Sequence, residues 1–102
     1  NVTTNETSNT ATVSNKKIKI EVLNGTGSTT KLEKAVEQLT NQGYKVSKKG
    51  STNITNKTTI INRTNNTTAE ENTITALLGT GTAITGEDNS EVDFTVILGK
   101  DY

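Results

Sequence analysis

The stretch KIKIEVLNGTGSTTKLEKAVEQL, residues 17–39, determines the fold class because a strand pattern passes into a helix pattern within it. Its first part alternates apolar with charged residues, as in a strand with one buried face: Ile18, Ile20 and Val22. Its last part has apolar residues at helical spacing: Leu32, Ala35, Val36 and Leu39. Between them lies the turn Asn24-Gly25-Thr26-Gly27. We therefore predict a strand, a glycine-rich turn and an amphipathic helix in direct succession.

Both ends of this helix carry sequence signals. Thr30-Lys31-Leu32-Glu33 matches the capping box, in which a Thr and a Glu three residues later each accept from a free backbone N–H. We therefore predict that the helix begins near Thr30. Gly43 suits the left-handed conformation that commonly ends a helix, so we predict the end of the helix at residues 41–43.

The rest of the chain contains further strand patterns and one more helix. We predict strands at residues 44–47, 58–63, 82–85 and 92–98, with a polar, turn-like segment at residues 48–57. A second helix is predicted from Thr67 or Thr68 to Leu78, because each Thr has a Glu three residues later. Each helix has one apolar stripe, which indicates that it covers a sheet.

The predicted fold class is therefore α/β (α+β). We expect a two-layer sandwich with a mixed sheet of four or five strands and two helices, in the order β-α-β-β-α-(β)-β. The alternative is a ferredoxin-like arrangement with a wholly antiparallel sheet.

Composition divides the chain into two parts. The whole chain is 28% hydrophobic without its 8 glycines, and adding them still leaves it below the ~45–50% of an average globular chain, in which glycine is counted. Apolar residues are scarcest at residues 1–15, which contain only Val2, Ala11 and Val13. Such a segment cannot bury enough apolar surface to offset the entropy lost on ordering. We predict a disordered Asn/Thr/Ser linker over residues 1–15 and a folded domain over residues 16–102.

Charge and residue types exclude several classes of function. The 11 basic and 11 acidic residues balance, so no nucleic-acid partner is expected. His and Cys are absent, which removes the usual ligands of zinc and the usual bases for a nucleophilic Ser or Thr. We therefore predict no catalytic residue, no metal and no cofactor, and we expect this part of the protein not to be an enzyme. The acidic residues within 87–93 lack the spacing of an EF-hand and are interpreted as a solvated turn.

The start of the chain and its hydropathy bear on attachment to a membrane. Met is absent, even at position 1, so we expect a fragment or a processed form of a longer protein. No apolar run approaches the ~20 residues that span a bilayer. We therefore expect that the protein reaches a membrane only through an anchor upstream of Asn1. We also expect it to be a monomer.

The glycine-rich turn raises the question of a phosphate site, since a strand, such a turn and a helix N-terminus form phosphate cradles. The dinucleotide fingerprint needs a glycine where Thr30 stands, and a P-loop needs a Lys where Ser28 stands. A weaker candidate remains, a site for one anionic or sugar group formed by Asn24, Gly25, Thr26, Gly27 and Ser28. The alternative, which we favour, is a structural connection whose glycines permit positive φ and close approach of the backbone.

Arg63 is a further candidate for ligand binding. It is the only arginine of the chain and ends the third predicted strand. A guanidinium there can pair with a carboxylate or a phosphate. The alternative, which we again favour, is a solvated residue at a strand end.

Several segments of the chain resemble the LytR C-terminal domain family. The resemblance lies in the opening strand and turn at residues 18–27, in QGYKV at residues 42–46, and in TTII at residues 58–61. The ending DFTVILGKDY at residues 93–102 is also similar, including its terminal Leu-Gly-x-Asp-Tyr. Together these segments extend the resemblance over residues 17–102.

The resemblance implies a bacterial cell-envelope protein on the extracellular face of the membrane. In this family the domain often follows a LytR–CpsA–Psr phosphotransferase domain, which attaches anionic glycopolymers to peptidoglycan, and it also occurs behind a membrane anchor alone. The implied function is a non-catalytic accessory role in cell-wall polymer attachment. The implied partners are an upstream catalytic domain, peptidoglycan or an anionic wall polymer such as teichoic acid.

Two other functions remain open beside this one. The first is a site for a phosphorylated small molecule or a lipid head group at the turn formed by residues 24–28. The second is an inert structural spacer.

Overall fold

The computed structural model describes residues 2–3, 5–6, 18–63, 68–86 and 91–102. Two short strands near the N-terminus, β1 (Val2–Thr3) and β2 (Asn5–Glu6), pair with each other in parallel. The linker predicted over residues 1–15 otherwise lies outside the described residues. The linker and the domain boundary at residue 16 therefore stay predictions.

The domain itself contains five strands and two helices. In chain order they are β3 (Lys19–Asn24), α1 (Thr29–Asn41), β4 (Lys45–Ser51), β5 (Thr59–Asn62), α2 (Thr68–Leu78), β6 (Thr82–Thr85) and β7 (Phe94–Leu98). Neither helix of this described part has the length and apolar content needed to cross a bilayer.

The five strands form one mixed sheet in the order β4-β3-β7-β5-β6. β3 pairs in parallel with β4 on one side and with β7 on the other, and β5 pairs in parallel with β6. Only β5 and β7 are antiparallel among the neighbouring pairs of this sheet. The mixed sheet and two helices confirm the predicted α+β class. The alternative of a wholly antiparallel sheet is wrong, because each helix returns the chain to a strand that runs parallel to a neighbour.

The core lies between the two helices and one face of the sheet. It combines alternate residues of the strands with the apolar stripes of both helices: Ile20, Val22, Ile60, Phe94, Val96, Leu98, Ala35, Leu39, Ile74 and Leu78. Burial of one large apolar side chain of this kind stabilises a fold by roughly 1.5–3 kcal/mol. In β3 and β5 the alternate positions are only half-buried, so the other face of the sheet is not covered by a helix.

The N-cap of α1 differs from the prediction, although the helix begins at Thr29, next to the predicted start near Thr30. Ser28 is the N-cap, and its side chain accepts a hydrogen bond from the Lys31 N–H at 3.4 Å. The capping box predicted at Thr30 is therefore wrong, because the helix has already begun at Thr29. The predicted end is confirmed, since Gly43 has φ +105 directly after the C-cap Gln42.

The second difference concerns β4. This strand runs to Ser51, whereas a polar turn was predicted from Lys48. Its residues are mostly exposed and carry no apolar alternation, because β4 is the outermost strand on its side of the sheet. A strand of that kind lacks the period-two signal from which strands are predicted.

Candidate binding site

The turn between β3 and α1 is organised by the side chain of Asn24, which is 8% exposed. Its Oδ1 accepts from the Thr26 N–H at 3.0 Å and from the Thr26 hydroxyl at 2.6 Å. Its Nδ2 donates to the Ser28 carbonyl oxygen at 3.0 Å. The Ser28 N–H donates to Thr26 Oγ1 at 2.9 Å. The backbone N–H groups that a phosphate cradle uses are thus bonded within the turn at residues 26 and 28.

Gly25 is fixed between two other segments. Its N–H donates to the carbonyl oxygen of Leu98, the last residue of β7, at 2.8 Å, and its own carbonyl accepts from the Thr55 N–H at 2.9 Å. A Cβ at Gly25 would lie 2.7 Å from the Leu98 oxygen, closer than non-bonded atoms approach. Gly27 has φ +83, a conformation that L side chains rarely adopt. Glycine is therefore required at position 25 by the close approach of other backbone and is favoured at position 27 by the positive φ.

The turn brings together five of the predicted ligand residues and leaves one apart. The five are consecutive, residues 24–28, and lie where the parallel strands β3, β4 and β7 end. Arg63 lies at the opposite end of the sheet, since Asn62 pairs with Phe94 whereas Asn24 pairs with Leu98. The ligand-binding role of these six residues stays a prediction.

Arg63 has a neighbourhood of its own on the uncovered face of the sheet. Its Nε donates to the Thr95 hydroxyl oxygen at 2.8 Å, and that hydroxyl donates to Glu21 Oε1 at 3.1 Å. The guanidinium is therefore held by a network that crosses from β5 through β7 to β3.

The C-terminal residues pack against the same end of the sheet as the turn. Asp101 accepts from the Thr58 N–H at 2.9 Å, from the Thr58 hydroxyl at 2.6 Å and from the Thr80 hydroxyl at 3.1 Å. These hydrogen bonds, above all the one from the Thr58 hydroxyl, lower the pKa of the Asp101 carboxyl below its usual range. A Cβ at Gly99 would lie 2.4 Å from the backbone of Lys57. The Leu-Gly-x-Asp-Tyr segment is therefore packed against Lys57 and hydrogen-bonded to Thr58 and Thr80.

Tyr102 ties this ending to α1. Its hydroxyl donates to Gln38 Oε1 at 2.6 Å, and its carbonyl oxygen accepts from Lys31 Nζ at 2.7 Å. The ammonium of Lys34 lies 5.7 Å from the centre of the Tyr102 ring, within the range of a cation–π contact. Partial burial raises the pKa of the Tyr102 hydroxyl.

A groove of about 430 Å³ lies between α1 and β4. This volume is within the ~300–1,000 Å³ of small-molecule sites. Leu32 and Val36 line it from the helix and are only partly buried, and Lys49 and Gly50 line it from the strand. The groove has the outermost strand of the sheet, β4, on one side. It therefore presents apolar side chains next to the backbone of an edge strand.

Charged residues of both signs border this groove. Glu33 and Glu37 lie on the helix side, one turn apart, and Lys49 lies on the strand side. The neighbouring Lys48 forms an ion pair with Glu91, which raises the pKa of the lysine and lowers that of the carboxyl. Within the described part of the chain, Lys45 and Lys49 make no ion pair.

A family model described as LytR cell envelope-related transcriptional attenuator matches residues 17–102. The chain belongs to this family. The LytR C-terminal domain is an accessory, non-catalytic domain of cell-envelope proteins. Comparison with curated proteins and with solved structures found no match.

In this LytR C-terminal domain two of the segments that carry the family resemblance, residues 18–27 and 93–102, meet in space. The Gly25 N–H bonds to Leu98, the Thr55 N–H bonds to Gly25, and the Lys100 N–H bonds to the Thr55 oxygen at 2.9 Å. The opening turn, the segment after β4 and the C-terminal ending thus form one hydrogen-bonded end of the sheet.

Other polar groups of the LytR C-terminal domain form hydrogen bonds with residues of the same domain. Tyr44, 7% exposed, donates to Glu70 Oε1 at 2.8 Å, and burial together with this carboxylate raises the pKa of Tyr44. Among the described residues, no three His, Cys, Asp or Glu side chains lie close enough to hold a metal ion. The predicted solvated turn at residues 87–93 lies mostly outside the described residues, although Asp93 accepts from the Lys19 N–H at 2.9 Å.

The groove is the feature that sequence analysis missed. Leu32 and Val36 belong to the predicted apolar stripe of α1, but only the sheet order shows that this part of the stripe lies beside an outermost strand, β4. One signal was present in the sequence. Lys45, Lys48 and Lys49 fall within seven residues of β4, and lysines at this density are typical of an edge strand.

Proposed function

We propose that this domain is a binding module on the extracellular face of a bacterial membrane, where it assists the attachment of cell-wall polymers. The observation that carries the proposal is the family match over residues 17–102, which associates the domain with the cell envelope. The open groove beside α1 supports a binding role, because apolar side chains there are left accessible to a ligand. In this proposal the domain acts through contacts with protein or glycan and performs no chemistry of its own.

The proposed partners follow from this location. They are an upstream phosphotransferase domain of the same protein, peptidoglycan, and an anionic wall polymer such as teichoic acid. An anchor upstream of residue 1 would hold the domain near the membrane, and the domain would act as a monomer.

A second candidate function is the binding of a phosphorylated small molecule or a lipid head group at residues 24–28. The position of this turn supports it, since ligands of open α/β sheets bind at the carboxyl ends of parallel strands. The N-terminus of α1 favours an anion, and its first turn contains no acidic residue. The N–H groups of Thr26 and Ser28 already have acceptors, so an anion must use the remaining donors.

NMR titration of the ¹⁵N-labelled protein tests both candidates. The probes are a soluble peptidoglycan fragment, poly(glycerol phosphate), the separately purified upstream catalytic domain, and inorganic phosphate. The proposed function predicts saturable shifts with at least one of the first three probes. The second candidate predicts shifts with phosphate at Gly25, Gly27 and Ser28.

The titration also identifies the outcomes that would refute each candidate. An absence of shifts with the first three probes at millimolar concentration would refute the accessory binding function and leave an inert spacer. Phosphate-induced shifts confined to other residues would refute the site at the turn.

A further inference from the structure

β4 presents an unpaired strand edge. It is the outermost strand of the described sheet and pairs only with β3. The outer N–H and C=O groups of such a strand form a row that can hydrogen-bond to an additional strand. Its seven residues are long enough to pair with a peptide of similar length.

The groove lies beside this edge, on the helix side of the sheet. Leu32 and Val36 of α1 are the apolar groups there, and they lie next to Lys49 and Gly50 of β4. In a peptide that adds to a strand edge, alternate side chains point to the same face. One set of side chains would therefore enter the groove. This combination of edge strand and adjacent pocket is how strand addition obtains both affinity and selectivity.

The charge of β4 determines which peptide fits. Lys45 and Lys48 pair with Lys19 and Glu21, on the uncovered face, whereas Lys49 borders the groove. Two copies of β4 placed edge to edge would bring these lysines together and repel each other. On the uncovered face an acidic side chain would instead be attracted to Lys45, which makes no ion pair within the described residues. On the groove face Lys49 is accompanied by Glu33 and Glu37, so the side chains that enter the groove should be apolar.

We propose that β4 receives an extended acidic segment of a partner protein as an additional strand, with apolar side chains of that segment in the groove between α1 and β4. This inference rests on the proposed binding function and specifies its partner as a peptide segment. The backbone of β4 supplies the pairing, Lys45 selects acidic residues on the uncovered face, and Leu32 and Val36 select apolar residues at the alternate positions.

A synthetic peptide tests the proposal with the full chain. The probe is fluorescein-labelled EVEVEVE, which alternates acidic and apolar residues over the length of β4, and binding is measured by fluorescence polarisation. We expect saturable binding to the wild-type protein. Lys45→Glu should weaken it about threefold or more, since it replaces an attraction to the peptide glutamates on the uncovered face by a repulsion. Lys49→Glu, on the groove face beside the valines, should weaken it less. The control Lys100→Glu makes the same charge change at an exposed lysine outside the groove and should leave binding unchanged.

A second peptide isolates the contribution of the backbone. The same sequence with alternate backbone nitrogens methylated, on the edge that faces β4, keeps every charge and side chain but loses the pairing donors. We expect it not to bind. Circular dichroism of each lysine variant establishes that the fold is intact.

Three results would overturn the proposal. The methylated peptide binding as tightly as the parent peptide would show a contact that is only electrostatic. Poly(glycerol phosphate) binding that is lost in Lys49→Glu, with no peptide binding, would assign the edge to a wall polymer. Self-association of the chain through this edge would make a second copy the occupant. In the second case the proposed accessory function stands while the peptide proposal fails.

Discussion

The carboxylate of Asp101 connects three segments of the domain. It accepts hydrogen bonds from Thr58, at the start of β5, and from Thr80, just before β6. The Thr58 hydroxyl oxygen also accepts from the Gly99 N–H at 2.9 Å, and Thr58 is 1% exposed. The exposed carboxylate of Asp101 thus bonds to a buried threonine, and protonation of this carboxylate would weaken the connection.

We predict that Asp101→Asn reduces the loss of stability in acid. Hydrogen bonds to the ionised carboxyl lower its pKa in the folded state, so its contribution is fully present above the unfolded pKa of about 3.9. The contribution is lost as the pH falls through the folded pKa. The free energy of urea unfolding, measured by circular dichroism between about pH 2 and pH 6, should therefore fall less steeply in Asp101→Asn.

Glu33→Gln is the matched control, because Glu33 is an exposed carboxylate without a hydrogen bond in the described residues. Its acid profile should follow that of the wild type. Equal acid slopes in the wild type and Asp101→Asn would contradict the role of this carboxylate.

The candidate binding residues also show which parts of the site can be predicted from the sequence and which cannot. The residues of the turn, 24–28, are consecutive, so their proximity needs no knowledge of the fold. Arg63 is distant in sequence, and its position depends on the direction of β5 relative to β7. That direction is antiparallel, which puts Arg63 at the end of the sheet away from the turn. No local pattern in the sequence encodes this choice.

The N-terminus of α1 can be tested as an element. Ser28 Oγ accepts from the Lys31 N–H, whereas Thr30 already lies within the helix. We predict that Ser28→Ala lowers the free energy of unfolding by about 1 kcal/mol, the usual cost of losing an N-cap. Thr30→Ala should not destabilise, because Ala has the higher helix propensity.

Urea unfolding of the two variants under identical conditions shows which residue caps the helix. The structure assigns the cap to Ser28, whereas the capping-box pattern in the sequence assigned it to Thr30. A loss of stability in Thr30→Ala with none in Ser28→Ala would favour the capping box. Both variants keep the glycines of the turn, so the connection to β3 is unchanged.

The strands differ in how well the sequence predicts them. In β3 and β7 apolar residues recur at every second position, because one face lies on the core. β4 faces solvent along most of its length, and only its hydrogen bonds to β3 define it as a strand. Long-range pairing of this kind determined the end of β4, the sheet order and hence the groove. Helix ends, by contrast, were set by local residues such as Gly43 and Gly79, with φ +105 and +79.

The whole chain contains no Pro and no Cys, which simplifies its folding. Proline isomerisation gives refolding phases of about 10–100 s, and disulfide formation gives still slower ones. We predict that stopped-flow refolding from urea shows no phase in that range.

A double-jump experiment provides the control. The time that the protein spends unfolded before refolding is varied, and the amplitudes should not depend on it. A slow phase that grows with this delay would contradict the prediction, since such growth is the signature of isomerisation in the unfolded chain.

β7 is the last strand along the chain, yet it occupies the centre of the sheet. The pair β3–β4 and the pair β5–β6 are joined within the sheet only through it. During synthesis, which starts at the N-terminus, the chain therefore produces two half-sheets. The edge of each half-sheet stays unpaired until β7 has been made. Until residues 94–98 arrive, the edges of β3 and β5 are open to wrong partners, including strands of other nascent chains. Protection of a new chain against aggregation is thus needed until residues 94–98 have been synthesised and have joined the two half-sheets.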